Sequence, residues 1–150
     1  MTLAGTKRGA VDVKRFDCLD ELEMLVADGV RLFVRYSHGW ERDRESGSID
    51  TESGLELPGL SVNPLNPEPW WTRPLSDWLA RQLCQYKHLM EKDPSRFPWV
   101  LRGTCVGRGP DCEPLLVDVE PVAVLSPALI SEATLIYHSN FAAGVGPADR

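Results

Sequence analysis

The sequence predicts a single α+β domain with a small mixed or antiparallel sheet of about five strands and three helices. Its 150 residues suit one domain, and 43% hydrophobic with 25% charged residues is an ordinary globular composition. The predicted strands occur in groups between helices rather than alternating with them one by one, which is typical of the α+β class. We expect one domain over residues 1–150, with loose termini at 1–15 and 139–150.

A helix and a strand come first. Asp17 is positioned to cap a helix over residues 18–28, in which apolar side chains recur at helical spacing. Residues 30–36 (VRLFVRY) then alternate in the way that is typical of a strand, and this alternation places Arg31 and Arg35 on one face.

The middle of the chain predicts a loop, a short strand and a long helix. Residues 37–58 are rich in charge, Gly and Ser, which predicts a long functional or mobile loop. Prolines exclude a helix over 55–74, so a short strand over 59–63 is the best interpretation there. Thr72 is expected to cap a helix that continues to Glu91, the strongest amphipathic pattern in the chain.

The last third predicts three strands and a helix. Residues 99–106 form the first strand, and the GRGPD turn at 107–111 follows. Two short strands are expected at 113–117 and 122–125. Ser126 then caps a final helix, which begins with a proline and ends near residue 137.

Charge and cysteine usage narrow the range of partners. A net charge of −6 argues against a nonspecific nucleic-acid or anionic-membrane surface. Residues 1–15 lack the apolar core of a signal peptide, and no apolar run approaches the ~18 residues of a membrane span. Four cysteines without a CxxC pair predict reduced thiols, a cytoplasmic location and no bound metal. A small molecule or a protein remains as the partner.

The five tryptophans are the most unusual feature of the composition. Trp78 lies on the apolar stripe of the predicted helix and is expected in the core. Trp70 and Trp71 either staple the proline-rich segment to the core, or form a wall for ligand stacking, or form an exposed patch for a partner. Trp40 lies in the polar loop as either a lid or a local anchor.

No common catalytic signature is present. The chain lacks GxxxxGK[ST], GxGxxG, HExxH and GxSxG, and the glycine-rich turn at 107–111 lacks the lysine of a phosphate loop. Three histidines scattered along the chain do not define a catalytic triad. A thiol enzyme using Cys105 or Cys112 stays open, because Arg102 and Arg108 are close in sequence.

Three motifs carry a family resemblance. GLELPGLSVNP, WWTRP and GRGPD, within a similarity over roughly residues 17–133, resemble an actinobacterial family of small proteins of unknown function. These motifs are long enough to be specific. The resemblance implies relatives but no reaction.

A second resemblance rests on shorter patterns. Arg35 in LFVRYS, Ser61 in GLSVN and Glu113 in DCEPLLV resemble the ordered Arg, Ser and Glu of the ADP-ribosyltransferase group. This resemblance implies NAD as a substrate. It further implies that Glu113 stabilises the oxocarbenium-like ribose, with Asp111 orienting a nucleophile. The chain departs from the group's pattern at LSVNP, where arginine-specific enzymes have Ser-Thr-Ser, and at Pro114, which directly follows the glutamate.

The same resemblance implies roles for the remaining candidates. Arg35 would bind the pyrophosphate through bidentate hydrogen bonds, and Ser61 would hold the site together. Asn63 would contribute to cofactor binding, and Trp70 and Trp71 would stack on a ring of the dinucleotide.

Simpler interpretations stay open beside these roles. Arg35 together with Arg31 can form a solvated strand face, and residues 111–113 can form a plain polar turn. The candidate functions are therefore an NAD-using transferase or glycohydrolase, a non-catalytic binding module that uses segment 58–74, or a thiol enzyme.

Overall fold

The computed structural model describes residues 13–142, which form one sheet flanked by helices. The elements are, in order, β1 (Lys14–Phe16), α1 (Leu19–Ala27), β2 (Phe33–Ser37), α2 (Trp40–Ser46), β3 (Leu60–Ser61), β4 (Asn63–Pro64), α3 (Leu75–Gln85), α4 (Lys87–Lys92), β5 (Phe97–Arg108), β6 (Pro114–Leu125), α5 (Pro127–Tyr137) and a π-helical segment (His138–Ala142). The predicted α+β class is confirmed. The expected counts of five strands and three helices are too low for the described residues, which contain six strands and five α-helical segments.

The sheet is mixed. Its strands follow the order β1-β6-β5-β2-β4, and β3 pairs separately with one end of β6. All the pairs are antiparallel except β1 with β6, which is parallel. The long β5–β6 hairpin is therefore the centre to which the shorter strands attach.

Both faces of the sheet bury apolar side chains, because successive residues of a strand point to opposite faces. Val34 and Val100 face the larger core, which α1, α3 and α5 cover. Their chain neighbours Phe33, Trp99 and Leu101 belong to a smaller cluster on the opposite face. The candidate site residue Arg35 shares its alternation with Phe33 and so points to the face of the smaller cluster.

The capping prediction for the first helix is wrong. Cys18 is the N-cap of α1. The backbone N–H groups of Asp17 and Cys18 both donate to the Glu21 carboxylate, at 2.8 and 3.3 Å. The side chain three residues into the helix thus satisfies these donors, and Asp17 instead pairs with Arg15. The cap predicted at Ser126 is confirmed, since its Oγ accepts from the Leu129 N–H at 3.2 Å.

The predicted loop over 37–58 contains the helix α2. Glycines with positive φ flank it, Gly39 at 102° and Gly47 at 67°. Asp43 is its one buried residue. Because a polar side chain anchors α2, the segment shows no apolar periodicity, and its sequence is typical of a loop.

The long amphipathic helix is divided in two. Pro74 takes the N-cap position that was predicted for Thr72. Tyr86 leaves the helical conformation, with φ −114° and ψ 13°, so α3 ends before it and α4 begins after it. Trp78 is buried at 5% exposure, as predicted.

Two strand predictions need correction. The segment 113–125 is one strand, not two, because Pro121 continues the ladder opposite Leu101 and a register shift absorbs the irregularity. The single strand expected over 59–63 is instead two short strands with different partners, since β3 pairs with β6 whereas β4 pairs with β2. Strands β2 and β5 occur where expected, with ends shifted by one to three residues.

The predicted loose termini are partly ordered. β1 pairs with β6 within the range expected to be loose, and the π-helical segment continues α5. Residues 1–12 and 143–150 lie outside the described residues, and the extent of a single domain over the whole chain stays a prediction. No helix within residues 13–142 is both long enough and apolar enough to cross a membrane.

Candidate functional site

Four of the predicted site residues line one cleft. Arg35 comes from β2, Ser61 from β3, and Asp111 and Glu113 from the turn that leads into β6. This Glu113 cleft has a volume of about 420 Å³, within the range of about 300–1,000 Å³ of small-molecule sites. Its outer wall comes from residues 46–51, which follow α2.

The centre of the cleft is the contact between Ser61 and Glu113. Ser61 Oγ donates to Glu113 Oε2 at 2.6 Å, and the Asp111 N–H donates to Glu113 Oε1 at 2.9 Å. The carboxylate lies directly against Gly109, where any Cβ would overlap it. The second glycine of GRGPD, Gly109, therefore leaves room for the carboxylate in this position.

Glu113 is held in its ionised form. Partial burial raises its pKa. Hydrogen bonds from Ser61, its own backbone and the Asp111 N–H together lower the pKa by more than burial raises it, so the pKa lies below its ordinary value. The group is thus a carboxylate at neutral pH, suited to accept hydrogen bonds or to stabilise a developing positive charge.

Arg35 holds the backbone of Ser61 in place. Its Nη1 donates to the Ser61 carbonyl at 2.7 Å, and its Nε pairs with Asp43 Oδ2 at 2.7 Å. The side chain of Arg35 is only 18% exposed, so the interpretation as a solvated face is wrong. Asp43 was missed, because its role depends on α2 folding back over β2.

A second layer fixes Asp43. Ser37 Oγ donates to Asp43 Oδ2 at 2.5 Å, and the indole N–H of Trp99 donates to Ser37 Oγ at 2.9 Å. Trp99 and Ser37 are almost completely buried. A continuous series of hydrogen bonds therefore connects the smaller core to the guanidinium beneath the cleft.

The cleft has a negative character. Asp50, Asp111 and Glu113 line it, and a hydrogen bond from Ser53 leads the effects that lower the pKa of Asp50. Arg35 is the one cation among the lining residues, and Asp43 already offsets its charge. A neutral or cationic group is favoured inside this cleft over a phosphate.

A family model matches almost the whole chain. A model for a family of unknown function, DUF6098, matches residues 9–145. The chain belongs to this family. The resemblance to a small-protein family of unknown function is thereby confirmed. No curated protein and no solved structure matches the chain.

Three further candidates lie elsewhere in this DUF6098 member. Asn63 lies on β4 opposite Val34 and does not line the Glu113 cleft. Trp70 and Trp71 contact Trp78 in what we call the tryptophan cluster, with ring centroids 5.0–6.2 Å apart. The structure therefore does not bring a tryptophan to the cleft.

The tryptophan cluster has one exposed edge. Trp70 is 64% exposed, Trp71 is half-buried and Trp78 is buried. The guanidinium groups of Arg73 and Arg81 each lie 5.8 Å from the Trp71 ring centroid. The cluster is both a staple to the core and an exposed aromatic surface.

The sequence did not indicate Tyr86, whose phenol responds to the charge of the Glu113 cleft. Partial burial and then the negative charges of Asp111 and Glu113 raise the pKa of its phenol. The phenol thus lies within electrostatic range of both carboxylates. The sequence had placed Tyr86 on the apolar stripe of the long helix, whereas it lies at the break between α3 and α4.

In the part of the chain that the structure describes, no lysine or arginine hydrogen-bonds to the sulfur of Cys105 or Cys112. Cys105 and Cys112 are free and exposed. Arg108 donates to the Cys112 carbonyl and not to its sulfur. Within residues 13–142, no group of three or more His, Cys, Asp or Glu side chains is arranged to hold a metal ion.

Proposed function

We propose that the Glu113 cleft binds the ribosyl end of a nicotinamide nucleotide and that the protein is an NAD-using transferase or glycohydrolase. One observation carries this proposal. Three residues from distant parts of the chain meet in one connected set, in which Arg35 holds Ser61 and Ser61 holds Glu113.

The proposed chemistry needs a fixed carboxylate. When the bond between nicotinamide and ribose C1′ breaks, nicotinamide leaves with the electron pair and the ribose gains oxocarbenium character. A nucleophile or water then bonds to C1′ and loses its proton. An ionised Glu113 would stabilise the positive charge and accept a hydrogen bond from a ribose hydroxyl. Asp111 stands beside it to orient the nucleophile.

The charge of the cleft refines the substrate. Three carboxylates would repel a pyrophosphate placed inside it, so the phosphates of NAD must lie toward solvent. Nicotinamide riboside carries a positive charge and no phosphate. We therefore expect the riboside to bind at least as tightly as NAD.

The test combines turnover and binding. NAD⁺ and nicotinamide riboside are incubated with the protein, nicotinamide release is followed by chromatography, and binding is measured by calorimetry. Glu113→Gln should reduce release by about a hundredfold or more. The matched control is Asp28→Asn, an exposed carboxylate after α1, which should leave release unchanged. If the wild-type protein shows no turnover and no binding, the proposal is refuted.

A second candidate function uses the tryptophan cluster. The 64% exposure of Trp70 favours a binding module for a proline-rich peptide, which aromatic surfaces recognise by stacking. A fluorescent polyproline peptide should bind the wild-type protein and not Trp70→Ala. Leu135→Ser is the control, because Leu135 is equally apolar and 70% exposed on α5. Equal binding to all three proteins, or none to the wild type, would exclude this function.

A further inference from the structure

A second cleft lies at the N-terminal end of α2, whereas the Glu113 cleft lies at its C-terminal end. Its volume is about 250 Å³. We call it the aromatic cleft, and it is lined by Val13, His38, Gly39, Trp40, Glu41, Phe97, Trp99, Pro121 and Val124. None of the predicted site residues lines it.

Three aromatic rings form the walls of the aromatic cleft. The ring centroids of Trp40 and Trp99 lie 6.3 Å apart with their planes inclined at 43°, so the two indoles form a corner. The indole N–H of Trp99 already donates to Ser37, which fixes this ring. Phe97 completes the walls.

Gly39 allows the third wall to close. Its φ is 102°, and a Cβ at this position would lie 2.9 Å from Phe97 Cζ. Any other residue would therefore push the phenyl ring away and strain the backbone. The glycine thus has a packing role at the cleft as well as its place before α2.

Glu41 is the one carboxylate among the described residues that line the aromatic cleft, and its Oε2 lies 3.9 Å from Arg44 Nη1. His38 also lines it, and its Nε2 lies 2.9 Å from Asp93 Oδ2, a carboxylate oxygen that Arg96 Nε also approaches, at 3.6 Å. Within residues 13–142, no lysine or arginine lines the aromatic cleft.

We propose that the aromatic cleft binds an alkylated ammonium group, with the cation against the half-buried rings of Trp40 and Phe97 and with Glu41 at the rim. Aromatic faces attract such cations through their quadrupoles, and rings grouped around one space are the usual receptor for quaternary ammonium ligands. At ~30 Å³ per water, the cleft holds about eight waters, which suits a trimethylammonium group better than a nucleotide. Net charge −6 favours the same ligand class.

The direct test compares two ligands of the same shape. Choline carries a trimethylammonium group, and 3,3-dimethyl-1-butanol carries a neutral tert-butyl group in its place. Saturation-transfer NMR should show contact of the choline methyl protons with the protein and much weaker contact for the alcohol. Equal contact would mean a merely apolar cleft, and no contact for choline would mean no site; either result would overturn the proposal.

Variants locate the bound ligand. Trp40→Leu keeps an apolar side chain but removes the π face, and it should weaken choline binding about tenfold. Glu41→Gln alters an exposed side chain that is not needed for folding, and it should weaken binding about two- to fivefold. Trp70→Ala removes an exposed tryptophan outside this cleft and should have no effect. Wild-type affinity in both cleft variants would overturn the assignment.

Two further experiments distinguish the possible sources of the ligand, and distinguish binding in the aromatic cleft from binding in the Glu113 cleft. A short peptide containing trimethyl-lysine is compared with choline, since the same cation occurs on a modified protein and on a free metabolite. Tighter binding of the peptide would identify a modified protein as the source. Choline binding by Glu113→Gln should equal that of the wild type, because Glu113 does not line the aromatic cleft.

Discussion

Arg35 Nη1 donates to the carbonyl of Ser61, 26 residues later, at 2.7 Å. The two residues lie on β2 and β3, which share no ladder, because β2 pairs with β4 and β5 whereas β3 pairs with β6. A side chain therefore makes the connection that backbone hydrogen bonds make elsewhere in the sheet. The position of the Ser61 hydroxyl depends on this guanidinium.

The ion pair between Arg35 and Asp43 should be important for stability. Asp43→Ala leaves a mostly buried guanidinium without its carboxylate, and we expect a loss of about 3 kcal/mol in the free energy of unfolding. Glu45→Ala on the same helix removes an exposed side chain and should change it by less than about 0.5 kcal/mol. Urea unfolding measures both. Equal values for the two variants would contradict the structural role of the pair.

Glu113 should make stability depend on pH in acid. Because its pKa in the folded protein is lowered, its contribution is complete above its unfolded value of about 4.3 and is lost as the pH falls through the folded value. Glu113→Gln should therefore be less stable than the wild type at pH 7, by less than about 1 kcal/mol at this part-exposed site. The difference should vanish in strong acid, as measured by urea unfolding at several pH values. When both proteins also carry Ser61→Ala, the stability difference caused by Glu113→Gln at pH 7 should be smaller. An unchanged difference would show that the serine does not hold the carboxylate.

Gly59 should be intolerant of a side chain. A Cβ at this position would lie 2.9 Å from both the N and the O of Leu116, which are backbone atoms that cannot move aside cheaply. We expect Gly59→Ala to lower the free energy of unfolding by about 1–3 kcal/mol. Gly107 is the control, since a Cβ there meets nothing within 4 Å. Thermal unfolding compares the two, and equal melting temperatures would argue against the close approach of Gly59 to β6.

Tyr86 should report the charge of the cleft. Negative charges on Asp111 and Glu113 contribute to its raised pKa, so Glu113→Gln should lower the pKa of this phenol toward its ordinary value. NMR titration of ring-labelled tyrosine follows Tyr86 in the wild type and the variant. An unchanged Tyr86 would mean that its phenol is too far from Glu113 to sense it.

The parts of the fold that were predicted correctly carry their own apolar pattern. In β2 and in the first half of β5, successive apolar residues occupy the two cores in turn. α5 has both a serine cap and a proline in its first turn. Such patterns are local, so a sequence alone is enough to find them.

The elements that were missed depend on contacts between distant residues. α2 has Asp43 as its only buried residue, and that burial exists only because Arg35 and Ser37 receive the carboxylate. β1 is three residues long and is defined by its pairing with residues 123–125. Neither signal is present within a window of the sequence.

The candidate site was half predictable. The order of Arg35, Ser61 and Glu113 along the chain led to three residues that are connected in space. Trp70 and Trp71 were assigned to the same site through the resemblance, but they lie in a separate cluster, packed against Trp78 of α3. Composition identifies unusual residues, whereas their location depends on the fold.

The parallel pairing of β1 with β6 has a consequence for how the chain folds. Lys14–Phe16 adds to the sheet beside Ala123–Leu125, and the Leu19 N–H donates to Glu132, 113 residues away. Closing a loop of this length carries an entropic cost before any contact rewards it. The β5–β6 hairpin, whose strands are adjacent in sequence, is therefore expected to form early. We expect β1 to join the sheet only after this hairpin has formed.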